Sequence, residues 1–268
     1  MSLGPLLIVW LLHGTPTVPA ALSDRELAEH AEAEFAEGVR LRHAADKARP
    51  HFREAAEYFE ALRQRGARNA LLYRNLGNAY LLAGDLPHAI LSYRRGLRLA
   101  PYDFDLRENL NEARGQVVYP ASGSLGRPRN DARPPWLPHV LAEWLVIAAG
   151  VCYVLAWGCL TRWLMVRRGR VLTFGLLALL VAGLLTAWLL ARTREEQEQD
   201  AHPLVVIARD GVLLRRGDGW TFPPRYDTPV HRGVEARRRF ERGGWVQIEL
   251  SGGEIGWVPR EAVLVDTP

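Results

Sequence analysis

Two stretches of this chain carry no charged residue at all, Trp144–Leu160 over 17 residues and Val171–Ala191 over 21. Crossing the apolar part of a bilayer takes roughly 20 residues of helix. Both stretches are therefore expected to span as helices, over residues 139–163 and 171–191. Trp136, Trp144, Trp157, Trp163 and Trp188 fall near their ends, where amphipathic rings settle at the headgroup level. The loop between them, residues 164–170 with Arg162 just before it, brings Arg162, Arg167, Arg168 and Arg170 together without an acid. The positive-inside tendency puts that loop in the cytoplasm and both flanking segments on the outer side. Arg127, Arg129, Arg133, Arg192 and Arg194 on those flanks reduce the contrast.

The remaining sequence is arranged around this hairpin. Leu3–Leu12 is apolar and is followed by the small-residue stretch Val18-Pro19-Ala20. Residues 1–21 are accordingly expected to be a secretory leader. No Lys or Arg precedes the apolar run, and an uncleaved anchor or a different start is the alternative. Cys152 and Cys159 lie on one expected helix, roughly 10 Å apart along its axis, too far to bridge. No other Cys exists to build a disulfide framework or a thiolate zinc site.

Charge balance excludes one class of function. Residues 22–115 carry 15 basic and 15 acidic side chains, and residues 192–268 carry 12 and 13. The excess sits in residues 116–191, with 7 basic against 2 acidic. A nucleic-acid binder concentrates Lys and Arg on a soluble face instead, so no nucleic-acid partner is expected. Neither HExxH nor GxSxG occurs, no glycine-rich phosphate loop is present, and the eight His residues show no metal-ligand spacing. The chain is expected to be no enzyme, with no catalytic residue, metal or cofactor. Glu143, near the end of the first run, is assigned no role.

Residues 22–115 are rich in Ala, Glu, Arg and Leu at helical spacing, which predicts an all-α domain. Within them, residues 70–103 carry a 34-residue pattern. Tyr73, Leu76, Gly77 and Tyr80 occupy a first helix, Gly84-Asp85 the turn, Ala89, Tyr93 and Gly96 a second helix, and Pro101 closes it. Gly77 and Ala89 are small where the helices would touch, and the Tyr80 and Tyr93 rings would fill the space beside them. This pattern resembles a tetratricopeptide (TPR) repeat. One repeat upstream, Ala55 and Phe59 keep the register while Val39 and His43 do not. Downstream, Leu106, Leu110 and Ala113 begin a third unit that is expected to cap the stack. The resemblance implies a concave groove formed by Leu71, Arg74, Asn78 and Leu81, with Arg74 and Asn78 able to hold a partner's carboxylate. The alternative is that these two are solvated polar residues.

Gly115 to Pro138 is rich in Pro, Gly, Ser and Arg and reads as a linker, residues 116–138. After a charged stalk, residues 192–202, residues 203–268 alternate β-branched and aromatic residues with Gly-rich turns, which predicts a small all-β domain. Val212-Leu213-Leu214-Arg215, Gly243-Gly244-Trp245-Val246-Gln247-Ile248 and Gly256-Trp257-Val258-Pro259 resemble a bacterial SH3-like barrel, which implies a peptide or wall-polymer ligand. Trp220, Phe222 and Tyr226 are the expected contacts, and Trp245 and Trp257 are expected to be barrel core, with an aromatic groove as the alternative. Arg237, Arg238 and Arg239 beside Phe240 would meet an acidic partner or anionic lipid, or would be a solvated strand.

The whole is thus expected to be a multidomain membrane protein with TPR hairpins, a two-helix transmembrane hairpin and an SH3-like barrel. That architecture resembles the TPR/SH3 proteins of the bacterial aerotolerance (Bat) operon, the BatE type. The resemblance implies an adapter or scaffold at the bacterial inner membrane, with protein partners of the von Willebrand factor A and MoxR-type ATPase families. A peptidoglycan-binding anchor, acting through the SH3-like domain, is the alternative, and an inverted, cytoplasm-facing sensor is a third.

Overall fold

A computed structural model describes residues 22–119 and 142–266. The expected leader, most of the linker and the start of the first apolar helix fall outside these residues. The chain divides into two compact units, residues 1–127 with 204–268 and residues 128–203.

The first unit begins with five helices, α1 Asp24–Arg40, α2 Ala45–Gln64, α3 Ala70–Ala83, α4 Leu86–Leu99 and α5 Phe104–Gly115. Side chains cap four of them. Ser23 and Glu26 form a capping box on α1, and Asn69, Asp85 and Asp103 each accept from a backbone N–H of α3, α4 and α5. Each such cap satisfies a donor that the helix itself leaves free. Gly84 ends α3 at φ 87°, a left-handed conformation that glycine adopts without a Cβ penalty.

Close approach dictates residue size between α3 and α4. A Cβ placed on Gly77 would lie 2.4 Å from the Tyr93 ring, which is completely buried. The Tyr93 hydroxyl donates to Asn78 Oδ1 at 2.8 Å, and burial pushes its phenol well above the usual tyrosine range. The α1–α2 hairpin uses the same device at a different place, with Gly38 against the Phe52 ring at 2.7 Å. Its turn, residues 41–44, comes earlier than the 34-residue register requires. His43 therefore lies in the turn rather than on a helix, which is why Val39 and His43 break the pattern that Ala55 and Phe59 keep.

The β part is one antiparallel sheet, ordered β4-β3-β2-β1-β5. Its strands are β1 Leu204–Ile207, β2 Glu235–Arg242, β3 Trp245–Leu250, β4 Ile255–Pro259 and β5 Val263–Val265. A register shift between Arg238 and Phe240 bulges β2. The loop between β1 and β2 folds back on itself through bridges Val212–Val230 and Arg215–Pro224, and Arg215 also bridges Trp257 of β4.

Helices and sheet do not form separate domains. Leu86, Ile90, Leu106, Leu110 and Val117 share one core with Val205, Ile207, Ile248 and Val258. Gly233, at φ +87°, comes so near the helices that a Cβ would be 2.8 Å from Val117 and 3.2 Å from Leu86. Two carboxylates of the sheet are buried in this junction. Glu235 accepts from Arg114 Nη2 at 2.7 Å and lies 3.7 Å from Arg94. Asp266 meets Arg95 at 2.9 Å and Arg98 at 2.8 Å. The side chains of Glu235 and Asp266 are 4% and 2% exposed, so each buried charge depends on its arginines.

The second unit contains α6 Ala142–Val166 and α7 Gly169–Ala201. Each includes a 23-residue segment long and apolar enough to cross a membrane. The connection is shorter than the expected loop: only Arg167 and Arg168 separate the helices, with Arg167 left-handed at φ 47°. The expected stalk is helical too, since α7 continues to Ala201. Less exposed positions repeat at alternating spacings of four and three residues, Leu145, Ala149, Cys152, Ala156, Cys159 and Trp163 on α6, and Val171, Gly175, Ala178, Ala182, Leu185 and Leu189 on α7. That is a heptad seam filled mostly by small residues, the composition that lets apolar helices approach closely. A Cβ on Gly175 would lie 3.0 Å from Cys159 Cβ. Val146, Ile147, Val154, Phe174, Leu177 and Leu184 face outward.

Gly77→Ala drives a methyl into a ring that cannot retreat and costs about 2 kcal/mol, read as a lower midpoint in chemical denaturation of the full chain. Leu71→Ala, at an exposed position, leaves the midpoint within about 0.5 kcal/mol of wild type.

Candidate ligand surface

The expected helical groove is already occupied by the chain's own polar groups. Helices α3 and α5 run alongside each other, and Arg74 Nη1 meets Asp105 Oδ2 at 2.6 Å. One turn further along, Asn78 Oδ1 accepts from Asn109 Nδ2 at 2.9 Å as well as from Tyr93. Both residues therefore serve a ladder between repeats, and an incoming carboxylate would have to displace Asp105 from Arg74. Leu81 packs against the core. Leu71 is 56% exposed and is the one groove position left open to solvent.

The sheet offers a better surface. Along β3, Val246, Ile248 and Leu250 face the core, and strand alternation puts Trp245, Gln247 and Glu249 on the opposite face. On β4, Val258 faces the core, leaving Trp257 and Pro259 outward. Register then aligns Arg242, Trp245 and Pro259 in one row and Phe240, Gln247 and Trp257 in the next. By strand parity both Trp245 and Trp257 lie on the face opposite Val246 and Val258; Trp245 is buried there, as expected of a core side chain, whereas Trp257 is half-buried. Trp245 is only 7% exposed, and Trp220 stands edge to face on it, with ring centroids 4.9 Å apart. Phe240 meets Trp257 in the same way at 6.1 Å.

Trp220 and Phe222 come from the folded-back loop. Arg215 holds them there: its guanidinium sits 5.0 Å from the Trp220 ring centroid and donates to the carbonyls of Trp220 and Phe222. Gly217 leaves the space in which the Phe222 ring lies, since a Cβ would be 2.7 Å from that ring. Trp220 and Phe222 are 67% and 44% exposed. Tyr226 is not brought to this surface, because it packs against the core, with Arg225 near its ring. Trp220, Gly244, Trp245, Pro259, Arg260 and Glu261 line an open cleft of about 520 Å³.

Ion pairs frame the cleft. Arg242 bonds Asp218 at 2.6 Å and holds its carboxyl below the usual carboxylate range. Glu241 lies between Arg238 and Arg260, Glu249 pairs with Arg239, and Glu261 pairs with Arg209. The arrangement offers flat aromatic faces for stacking and arginines for acceptors. Among the described residues no cluster of three or more His, Cys, Asp or Glu could hold a metal ion.

A core tryptophan costs about 3–5 kcal/mol when cut to alanine. For Trp257→Ala the outer position predicts about 1 kcal/mol, less than Val258→Ala beside it, as compared by denaturation midpoints. No protein-family model matches the chain and no curated protein does, so the reading of this face rests on its own residues.

Proposed function

We propose that the chain is a non-enzymatic, membrane-anchored adapter that carries a helical repeat and a ligand-binding sheet as one rigid body. The observation that carries this reading is the shared core between α4–α5 and the sheet, closed by Glu235, Asp266 and their four arginines. Segments that share a core must lie on one side of a membrane. The chain between them then crosses an even number of times, and α6 and α7 provide two crossings. Only 6% and 11% of their most apolar windows are buried, whereas a core helix of a soluble protein is mostly covered. Lipid is the natural cover for such outward apolar side chains.

The arginines around the α6–α7 turn favour placing that turn in the cytoplasm. In a bacterium the helical and β parts then face outward from the inner membrane, as the resemblance to TPR/SH3 proteins of the Bat operon implies. Protein partners would dock on the helical repeats, with von Willebrand factor A-type membrane proteins and a MoxR-type ATPase complex as the expected candidates. The aromatic face around Trp220, Trp245 and Trp257 is the surface for a peptide. Its flat rings equally favour a second reading, a peptidoglycan anchor, because sugar rings stack on such faces.

A reporter active only outside the cytoplasm tests the topology. Activity is expected when it is fused at Asp131 or after Pro268, and none when it is fused beside Arg168; the reverse pattern would exclude every envelope partner. Retention of the full chain on purified sacculi, lost in Trp220→Ala, would assign the anchor role. Capture of a membrane protein without sacculus binding would assign the scaffold role.

A further inference from the structure

The tip of the folded-back loop, residues 216–225, carries exposed groups beyond Trp220, the one of its residues that lines the cleft. Arg216, Trp220, Phe222 and Arg225 are all exposed. The loop is not a loose strand: Arg216 N–H donates to the Pro223 carbonyl at 3.2 Å, and Arg225 N–H to the Leu214 carbonyl at 2.7 Å. Its single acid, Asp218, is engaged by Arg242. Among the described residues neither Arg216 nor Arg225 forms an ion pair, and Arg225 rests near the Tyr226 ring instead. Two bulky aromatic rings in water, flanked by two cations without counter-charges, form a surface still lacking its partner.

The charge census says which sign that partner has. Residues 204–266 hold ten arginines and nine carboxylates, and two of the latter, Glu235 and Asp266, are neutralised by the helices. The exposed sheet domain is therefore cationic, with Arg237 a further arginine that forms no ion pair among the described residues. Exposed Trp and Phe rings beside arginines match the boundary between headgroups and acyl chains, where rings bury their apolar bodies and guanidinium groups meet phosphates. Only residues 192–203 separate the second apolar run from β1. If that run spans, so short a tether keeps the local concentration of lipid around the sheet domain high.

We propose that the 216–225 tip is a lipid-contacting element, with Trp220 and Phe222 entering the interface of an anionic bilayer and Arg216 and Arg225 engaging its phosphates. The proposal rests on the membrane-anchored reading and goes beyond it, because it gives the sheet domain a second, reversible hold on the membrane. A ligand in the cleft and the bilayer would then compete for Trp220.

The test uses the full chain in nanodiscs, with Cys152→Ala and Cys159→Ala removing the native thiols and Thr221→Cys carrying an environment-sensitive dye. In phosphatidylcholine mixed with phosphatidylglycerol the dye is expected to shift to the blue and to be quenched by headgroup-proximal spin-labelled lipid. In phosphatidylcholine alone the effect should be weak, and salt should reverse it. Arg216→Gln and Arg225→Gln should each lower the bound-to-free ratio about fivefold. An inserted chain whose dye responds identically in both bilayers overturns the proposal and leaves the adapter reading standing. A chain that enters neither nanodisc overturns both. A blue shift produced in phosphatidylcholine alone by an added acidic peptide assigns the tip to a protein partner and overturns the lipid assignment.

Discussion

Two carboxylates buried between helices and sheet hold the first unit together. Glu235 begins β2 and Asp266 follows β5, and between them they engage Arg94, Arg95, Arg98 and Arg114 on α4 and α5. A buried pair of this kind contributes little over an apolar contact, but losing one partner strands the other charge at about 3–5 kcal/mol. The junction therefore works chiefly as a register device. It favours one docking of sheet on helices, and the close approach at Gly233 leaves no room for a side chain against Leu86 and Val117. The third helical unit has a first helix, α5, whose Leu106 and Leu110 share one core with α4 and with the sheet that packs against α4.

The apolar hairpin follows the opposite logic. Its large side chains point outward and its small ones line the seam, Ala149, Cys152, Ala156 and Cys159 against Gly175, Ala178 and Ala182. A seam of small residues is what lets two apolar helices approach closely. Cys152 and Cys159 are accounted for by their size, as seam residues. In the first unit, glycines at 38, 77 and 96 perform the corresponding task, making room for Phe52, Tyr93 and Leu106.

Some of this was legible in the sequence and some was not. The 70–103 repeat could be read because its meaning is local: Gly77, Ala89 and Tyr93 have the sizes that their own hairpin demands. The first hairpin keeps the pattern only in its second helix, because its turn falls at residues 41–44. Arg94, Arg95 and Arg98 look like ordinary helix surface, since nothing local marks them as partners of carboxylates 141, 171 and 168 positions away. The outer face of the sheet was within reach. Gln247 and Glu249 share strand parity with Trp245, and two polar residues on that side already argue that it faces solvent. Trp245 is nonetheless buried, with Trp220 of the folded-back loop packed on it. Arg74 and Asn78 meet Asp105 and Asn109, each 31 positions further on and outside the 70–103 pattern that marks the groove.

The most direct test of one shared body is a double-mutant cycle across the junction, Arg114→Ala, Glu235→Ala and both together, in the full chain unfolded by denaturant. Groups in one buried pair are coupled by about 0.5–3 kcal/mol, whereas independent sites add within about 0.5. A coupling energy of about 2 kcal/mol, with a single cooperative transition, is the result this account predicts. Additive effects, with the helical and β parts unfolding in separate transitions, would contradict it and return the chain to two independent modules.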